Sequence, residues 1–153
     1  MRLSVARHER CGGKKAPWLD RRAIVRLERA ARSAGRPGSG VDLILVDDAF
    51  IRDLNRRYRG IDRATDVLSF SYGGEEGGAS AAGEIYVSHE TVERDARESA
   101  VPPENLFLRV GVHGVLHVLG YDHEKAADAR RMEAEEKRIL LEQLTETEVE
   151  ELF

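Results

Sequence analysis

The chain has 153 residues, 41% of them hydrophobic and 34% charged, with a formal net charge of −4 at pH 7. That length suits a single domain over residues 1–153 that buries roughly two thirds of its unfolded surface, and the apolar content excludes a disordered chain. No apolar run approaches the roughly 18 residues that cross a bilayer, and Arg7, His8 and Glu9 interrupt the amino terminus before a secretory core forms, so the expectation is a cytoplasmic protein with no membrane partner.

Charge is distributed unevenly. Basic residues crowd the stretch from Arg2 to Arg36, whereas Glu133, Glu135, Glu136, Glu142, Glu146, Glu148, Glu150 and Glu151 make the carboxyl end acidic, so the negative total does not exclude a polyanionic partner. Cys11 is the lone cysteine; it cannot form an intramolecular disulfide, which agrees with a reducing compartment.

Residues 2–8 alternate weakly, as an edge strand does, before the turn-like Gly12 and Gly13. From Pro17 onward Leu19, Ala23, Leu27, Ala30 and Ala34 recur at helical spacing until Gly35, Pro37, Gly38 and Gly40 stop the helix, with Trp18 as a packing anchor near its start. Residues 41–46 read as a buried strand, and Asp47 or Asp48 is placed to cap a following helix that ends near Gly60. Phe50, Ile51, Leu54 and Tyr58 form the apolar side of that helix; Arg52, Arg56 and Arg59 share another side. Guanidinium groups engage phosphate oxygens through paired hydrogen bonds, so the stripe suits a nucleic acid, although its spacing equally describes a solvated helix face.

Residues 67–72 and 83–88 read as strands, joined by a glycine-rich connector over 73–82 that fits a surface hairpin loop better than a lid. Ser88 caps a helix that runs to about Ser99, with His89 at its start but outside any ligand set, and Pro102 and Pro103 introduce the next helix. That helix is apolar on nearly every side from Leu106 to Leu119, which makes it central and shielded by neighbours. Residues 125–144 favour a charged helix held by Met132, Ile139, Leu140 and Leu144, and Thr145 with Glu148 offers a capping box for a short terminal helix. No repeat, heptad or glycine-rich nucleotide loop is present, so nothing in the pattern defines an oligomeric state.

The central helix carries the chemistry. His113 and His117 are four residues apart, so their rings project from one face a single turn apart; Gly120 ends the helix in a left-handed conformation and lets the chain return with His123. Three neutral imidazoles suit Zn2+ or a similar divalent transition metal and leave a position for water or substrate, an arrangement that makes a water nucleophile available near neutral pH. Asp122 or Glu124 would have to close the site if the ion were structural, and Asp122 is also placed either to orient an imidazole or to shape the turn. Zinc peptidases share this spacing, but they carry a glutamate general base after the first histidine, where this chain has Gly114. A zinc metallopeptidase-like hydrolase is therefore the weaker reading, beside a noncatalytic factor with a structural metal.

The histidine segment, the upstream run Leu54-Asn55-Arg56-Arg57-Tyr58-Arg59, the run Thr65-Asp66-Val67-Leu68-Ser69-Phe70 and the strand Gly83-Glu84-Ile85-Tyr86-Val87-Ser88 together resemble the bacterial YbeY family of endoribonucleases. The resemblance implies a metal-dependent RNA hydrolase directed at single strands, acting in ribosomal RNA maturation at the three-prime end of the small-subunit RNA and in ribosome quality control, with ribosomal particles as partners. It assigns the metal to His113, His117 and His123 and a functional basic role, contact with substrate or transition-state phosphate, to Arg59. Glu84, where the family often has aspartate, and the glycine-rich connector depart from the pattern. The fold expected is α+β: a small, mostly parallel four-stranded sheet with one antiparallel strand, covered by helices, with the metal site at the end of a central helix.

Overall fold

The computed structural model describes residues 2–8, 16–34, 40–72 and 81–153. Cys11, the Gly12 and Gly13 turn, the helix stop over 35–39 and the connector over 73–80 lie outside the described residues. In chain order the elements are β1 (Arg2–Arg7), α1 (Arg21–Ala34), β2 (Gly40–Val46), α2 (Asp48–Arg59), β3 (Val67–Ser71), β4 (Ala81–Ser88), α3 (His89–Ser99), α4 (Pro103–Val118), α5 (Ala126–Leu140) and α6 (Glu146–Glu151).

Side-chain oxygens set most helix starts. Asp20 accepts the Ala23 amide at 2.9 Å, so α1 begins at Arg21 although the apolar spacing starts earlier. Of the two candidates before α2, Asp47 is the cap, accepting from Phe50 at 2.9 Å. Ser88 caps α3, and Thr145 and Glu148 form the reciprocal capping box of α6. At α4 no side chain caps; Pro103 in its first turn supplies a preset φ instead.

The sheet is four-stranded in the order β1-β2-β4-β3, with β1, β2 and β4 parallel and β3 antiparallel to β4. β1 is therefore an edge strand, as its weak alternation suggests. Because side chains alternate along a strand, Leu43, Leu45, Ile85 and Val87 point into the larger core under α1 and α4. Val46, Leu68, Phe70 and Tyr86 point the other way, into a smaller cluster with Ile51 of α2. The sheet thus has two faces with different tasks: α1 lies over the β1 half of one face, α4 over its β3 and β4 half, and α2 covers the other face.

α4 packs against α1, α3, α5, β3 and β4, which accounts for its apolar circumference. Leu27, Phe107, Leu116, Ile139 and Leu140 are fully buried around it, each stabilising the fold by about 1.5–3 kcal/mol of transfer free energy. Met132, Ile139, Leu140 and Leu144 of the charged carboxyl-terminal segment are all buried, as their spacing predicts.

Candidate metal centre

Two close approaches orient α4. A Cβ at Gly111 would lie 2.5 Å from Leu27 Cδ1 of α1, and one at Gly114 would lie 2.8 Å from Ile85 Cγ2 of β4. With 3.6 residues per turn, those contacts leave the flank bearing His113 and His117 turned away from α1 and beside the edge strand β3. Ser69 and Ser71 of β3 donate to the Gly114 and Val118 carbonyls, each at 3.4 Å, and fasten that strand to the same helix. The absent side chain at 114 leaves the peptidase reading without its base, and the position is packed against Ile85 and Ser69.

Helix α4 ends as its glycine predicts. Gly120 has φ of 100°, its amide donates to the His117 carbonyl at 3.0 Å, and the Tyr121 amide donates to the Leu116 carbonyl at 3.0 Å. The chain reverses and Asp122 shapes the return, its Oδ1 accepting from the His123 amide at 2.6 Å and the Glu124 amide at 3.2 Å. Of the two roles open to Asp122, the structure shows the turn-forming one.

The three rings meet at this corner. Ring centres are 4.6 Å apart for His113 and His117, 4.8 Å for His117 and His123, and 5.8 Å for His113 and His123. Imidazoles sharing a tetrahedral ion through bonds of about 2.0–2.1 Å have centres about 5 Å apart. Among the described residues, however, no three His, Cys, Asp or Glu side chains stand in metal-holding geometry. Burial, then the neighbouring His113 and His123, push the His117 pKa below its usual value against the opposing pull of the Tyr121 backbone and Asp122. A histidine held neutral in this way keeps a lone pair for a cation.

Sequence reasoning missed Glu136. This carboxylate of α5 is 2% exposed and its Oε1 contacts His113 Nδ1. A carboxylate accepting at Nδ1 would fix the proton there and leave the Nε2 lone pair for a cation, the pairing that commonly orients metal-binding histidines. The signal was present, because Glu136 falls on the same helical face as Met132, Ile139 and Leu140, where a surface glutamate has no place. It was hidden among the glutamates of the acidic carboxyl end.

Arg59 lies apart from the histidines, at the last position of α2 on the helix that covers the other sheet face. The arginine stripe is unequal in its partners. Arg52 pairs with Asp62 at 2.9 Å and Arg56 with Asp53 at 2.7 Å, whereas Arg59 is exposed and makes no ion pair among the described residues. Around it, Asn55 is buried and donates to the Arg63 carbonyl at 2.9 Å, fixing the loop that leaves the helix. A separate cleft of about 1040 Å³ beside α1 contains none of the three histidines, and its four arginines are matched by four carboxylates, so it presents no net charge to a polyanion.

Comparison with known proteins agrees with this architecture. The family model described as Endoribonuclease YbeY matches residues 21–144. Curated proteins named Endoribonuclease YbeY from Moorella thermoacetica and Aquifex aeolicus are 44% and 39% identical, over 74% and 77% of this chain and 80% and 79% of their own lengths. The protein of that name from Methylocella silvestris is 45% identical over 65% of this chain, a match that spans 57% of the relative's length. The solution structure of a Thermotoga maritima protein superposes with a TM-score of 0.61 at 33% identity, covering 92% of this chain and 87% of that one. With the family model spanning most of its length and relatives near 40% identity, the chain belongs to the YbeY endoribonuclease family.

Proposed function

We propose that this chain is a metal-dependent endoribonuclease that cuts single-stranded RNA, matures the three-prime end of small-subunit ribosomal RNA and serves ribosome quality control in the cytoplasm, in contact with ribosomal particles. The observation that carries the reading is the meeting of three imidazole rings at the end of α4 in a chain of this family. The donor set fits Zn2+: His113, His117 and His123 would hold the ion, neutral nitrogen ligands of intermediate softness. Once bound, the ion supplies Lewis acidity for attack of water on a phosphodiester.

The chain's own groups do the rest. Glu136 holds His113 in one tautomer and one orientation. Arg59, which makes no ion pair among the described residues, binds a phosphate of the substrate. No helix among the described residues is long and apolar enough to cross a membrane.

Metal-loaded wild type, His117→Ala and Arg59→Ala assayed on a defined single-stranded RNA and on an unstructured polypeptide test the reading. RNA cleavage should fall about 100-fold or more in both variants, with metal lost only from His117→Ala. Equal RNA cleavage by all three proteins would reject the site, and polypeptide hydrolysis that needs His117 would favour the peptidase reading.

A further inference from the structure

Tyr58 precedes Arg59 on α2 and is 67% exposed, unusual for a large aromatic side chain that also has a packing partner. Its ring meets Phe70 of β3 edge to face, with centres 5.2 Å apart and planes at 69°. Phe70 in turn meets Tyr86 at 5.8 Å, and Tyr86 stacks with Phe50 at 6.0 Å. Four rings therefore run from the partly buried cluster under α2 out to water, ending in Tyr58. Tyr86 is anchored by its hydroxyl, which donates to Glu84 at 2.7 Å. An aromatic ring braced along one side and open to water on the other is a preorganised surface for another flat ring.

Two further features state what kind of ring. The same helix end carries Arg56, Arg57 and Arg59, and only the first two share a carboxylate, Asp53. Phe70 sits on β3 between Ser69 and Ser71, the residues bonded to the helix of His113 and His117. The aromatic row and the histidine corner thus occupy the two sides of one edge strand, with Arg59 beside the former. A polyanion carrying flat bases fits this surface, whereas an apolar peptide would leave Arg59 without counter-charge.

We propose that Tyr58, braced by Phe70, is a stacking platform for an unpaired base of the RNA, placed so that the adjoining phosphate meets Arg59 and the strand continues around the β3 edge toward the histidines. The proposal rests on the endoribonuclease reading and adds a binding site for a base to it. Stacking on an exposed ring requires a base free of its partner strand, so the platform selects single-stranded over duplex RNA without reading sequence.

The test is steady-state cleavage of a defined single-stranded RNA by metal-loaded wild type, Tyr58→Ala and Tyr58→Phe, repeated on the same RNA made abasic one position at a time. Tyr58→Ala should raise KM about tenfold with kcat largely retained, and Tyr58→Phe should match wild type, since the face rather than the hydroxyl is used. At one abasic position wild type should show the same rise, and Tyr58→Ala should add nothing to it. A KM for Tyr58→Ala within about twofold of wild type, or a loss that stays additive at every abasic position, overturns the platform. Absence of RNA cleavage by wild type overturns the endoribonuclease reading instead, so the two failures are separable.

Discussion

Glu136 and His113 bring a buried carboxylate against a half-buried histidine. A glutamate 2% exposed is retained at a cost unless it is hydrogen-bonded, and its contact is an imidazole of the proposed metal corner. Glu136→Gln keeps the volume but removes the charge, and the expected result is a 10- to 100-fold loss of metal affinity, read by competition with a chelating dye. Unchanged affinity would show the contact to be incidental. Asp48 is a second case in which the role differs from the expected one. Beyond the cap residue Asp47, it accepts hydrogen bonds from Ser88 and Thr91 of the β4–α3 junction and from Arg94. Burial pushes its carboxyl upward, but the bonds from Ser88, Thr91 and Arg94 together with the Arg94 charge outweigh that and hold it below its usual value. A carboxylate with a depressed pKa stabilises the fold above its unfolded value, 3.8, and loses that contribution as pH falls through the folded value. Asp48→Asn should therefore cost about 1–3 kcal/mol near pH 7, with the gap to wild type closing below about pH 4 in denaturant titrations. A gap that stays constant with pH would remove the electrostatic account.

At the scale of the element, α4 works because it touches the sheet closely enough to leave its histidines on an open flank. A Cβ at Gly114 would lie 2.8 Å from Ile85 Cγ2 and 3.2 Å from Ser69 Oγ. Gly114→Ala is expected to cost about 1–3 kcal/mol through overpacking, measured as a lower denaturant midpoint at unchanged slope. Stability equal to wild type would mean that the helix and sheet are less closely packed. The elements themselves were legible because their signals are local: the bonds of Asp47 to Phe50 and of Thr145 to Glu148 span three residues, and the apolar recurrence of α1 and α5 follows one turn. The partner of a buried charge was not legible. Arg94 reaches Asp48 across 46 positions and Glu136 reaches His113 across 23, and no periodicity encodes such a meeting. For the same reason the arginine stripe looked uniform in sequence, whereas folding brings Asp62 to Arg52 and leaves Arg59 without an ion pair among the described residues.

Across the whole molecule, the proposed ion would join segments that the backbone alone leaves separate: α4, the turn after Gly120, and α5 through Glu136. An ion bound only by the folded state adds stability by mass action, about 2.7 kcal/mol at a free concentration one hundred times Kd. Chelation should lower Tm of wild type, restoring zinc should recover it, and His117→Ala should show neither response. The antiparallel β3 has a comparable position between layers, bonded to α4 through Ser69 and Ser71 and contributing Leu68 and Phe70 to the cluster under α2. The histidine motif and the arginine-containing motif, far apart in sequence, come to flank this one strand. The most direct test is metal-edge X-ray absorption on the zinc-loaded protein. The account predicts one ion per chain with three imidazole nitrogens at about 2.0–2.1 Å and a light atom from solvent. A shell with fewer than three imidazoles, or one completed by a protein carboxylate, would contradict it.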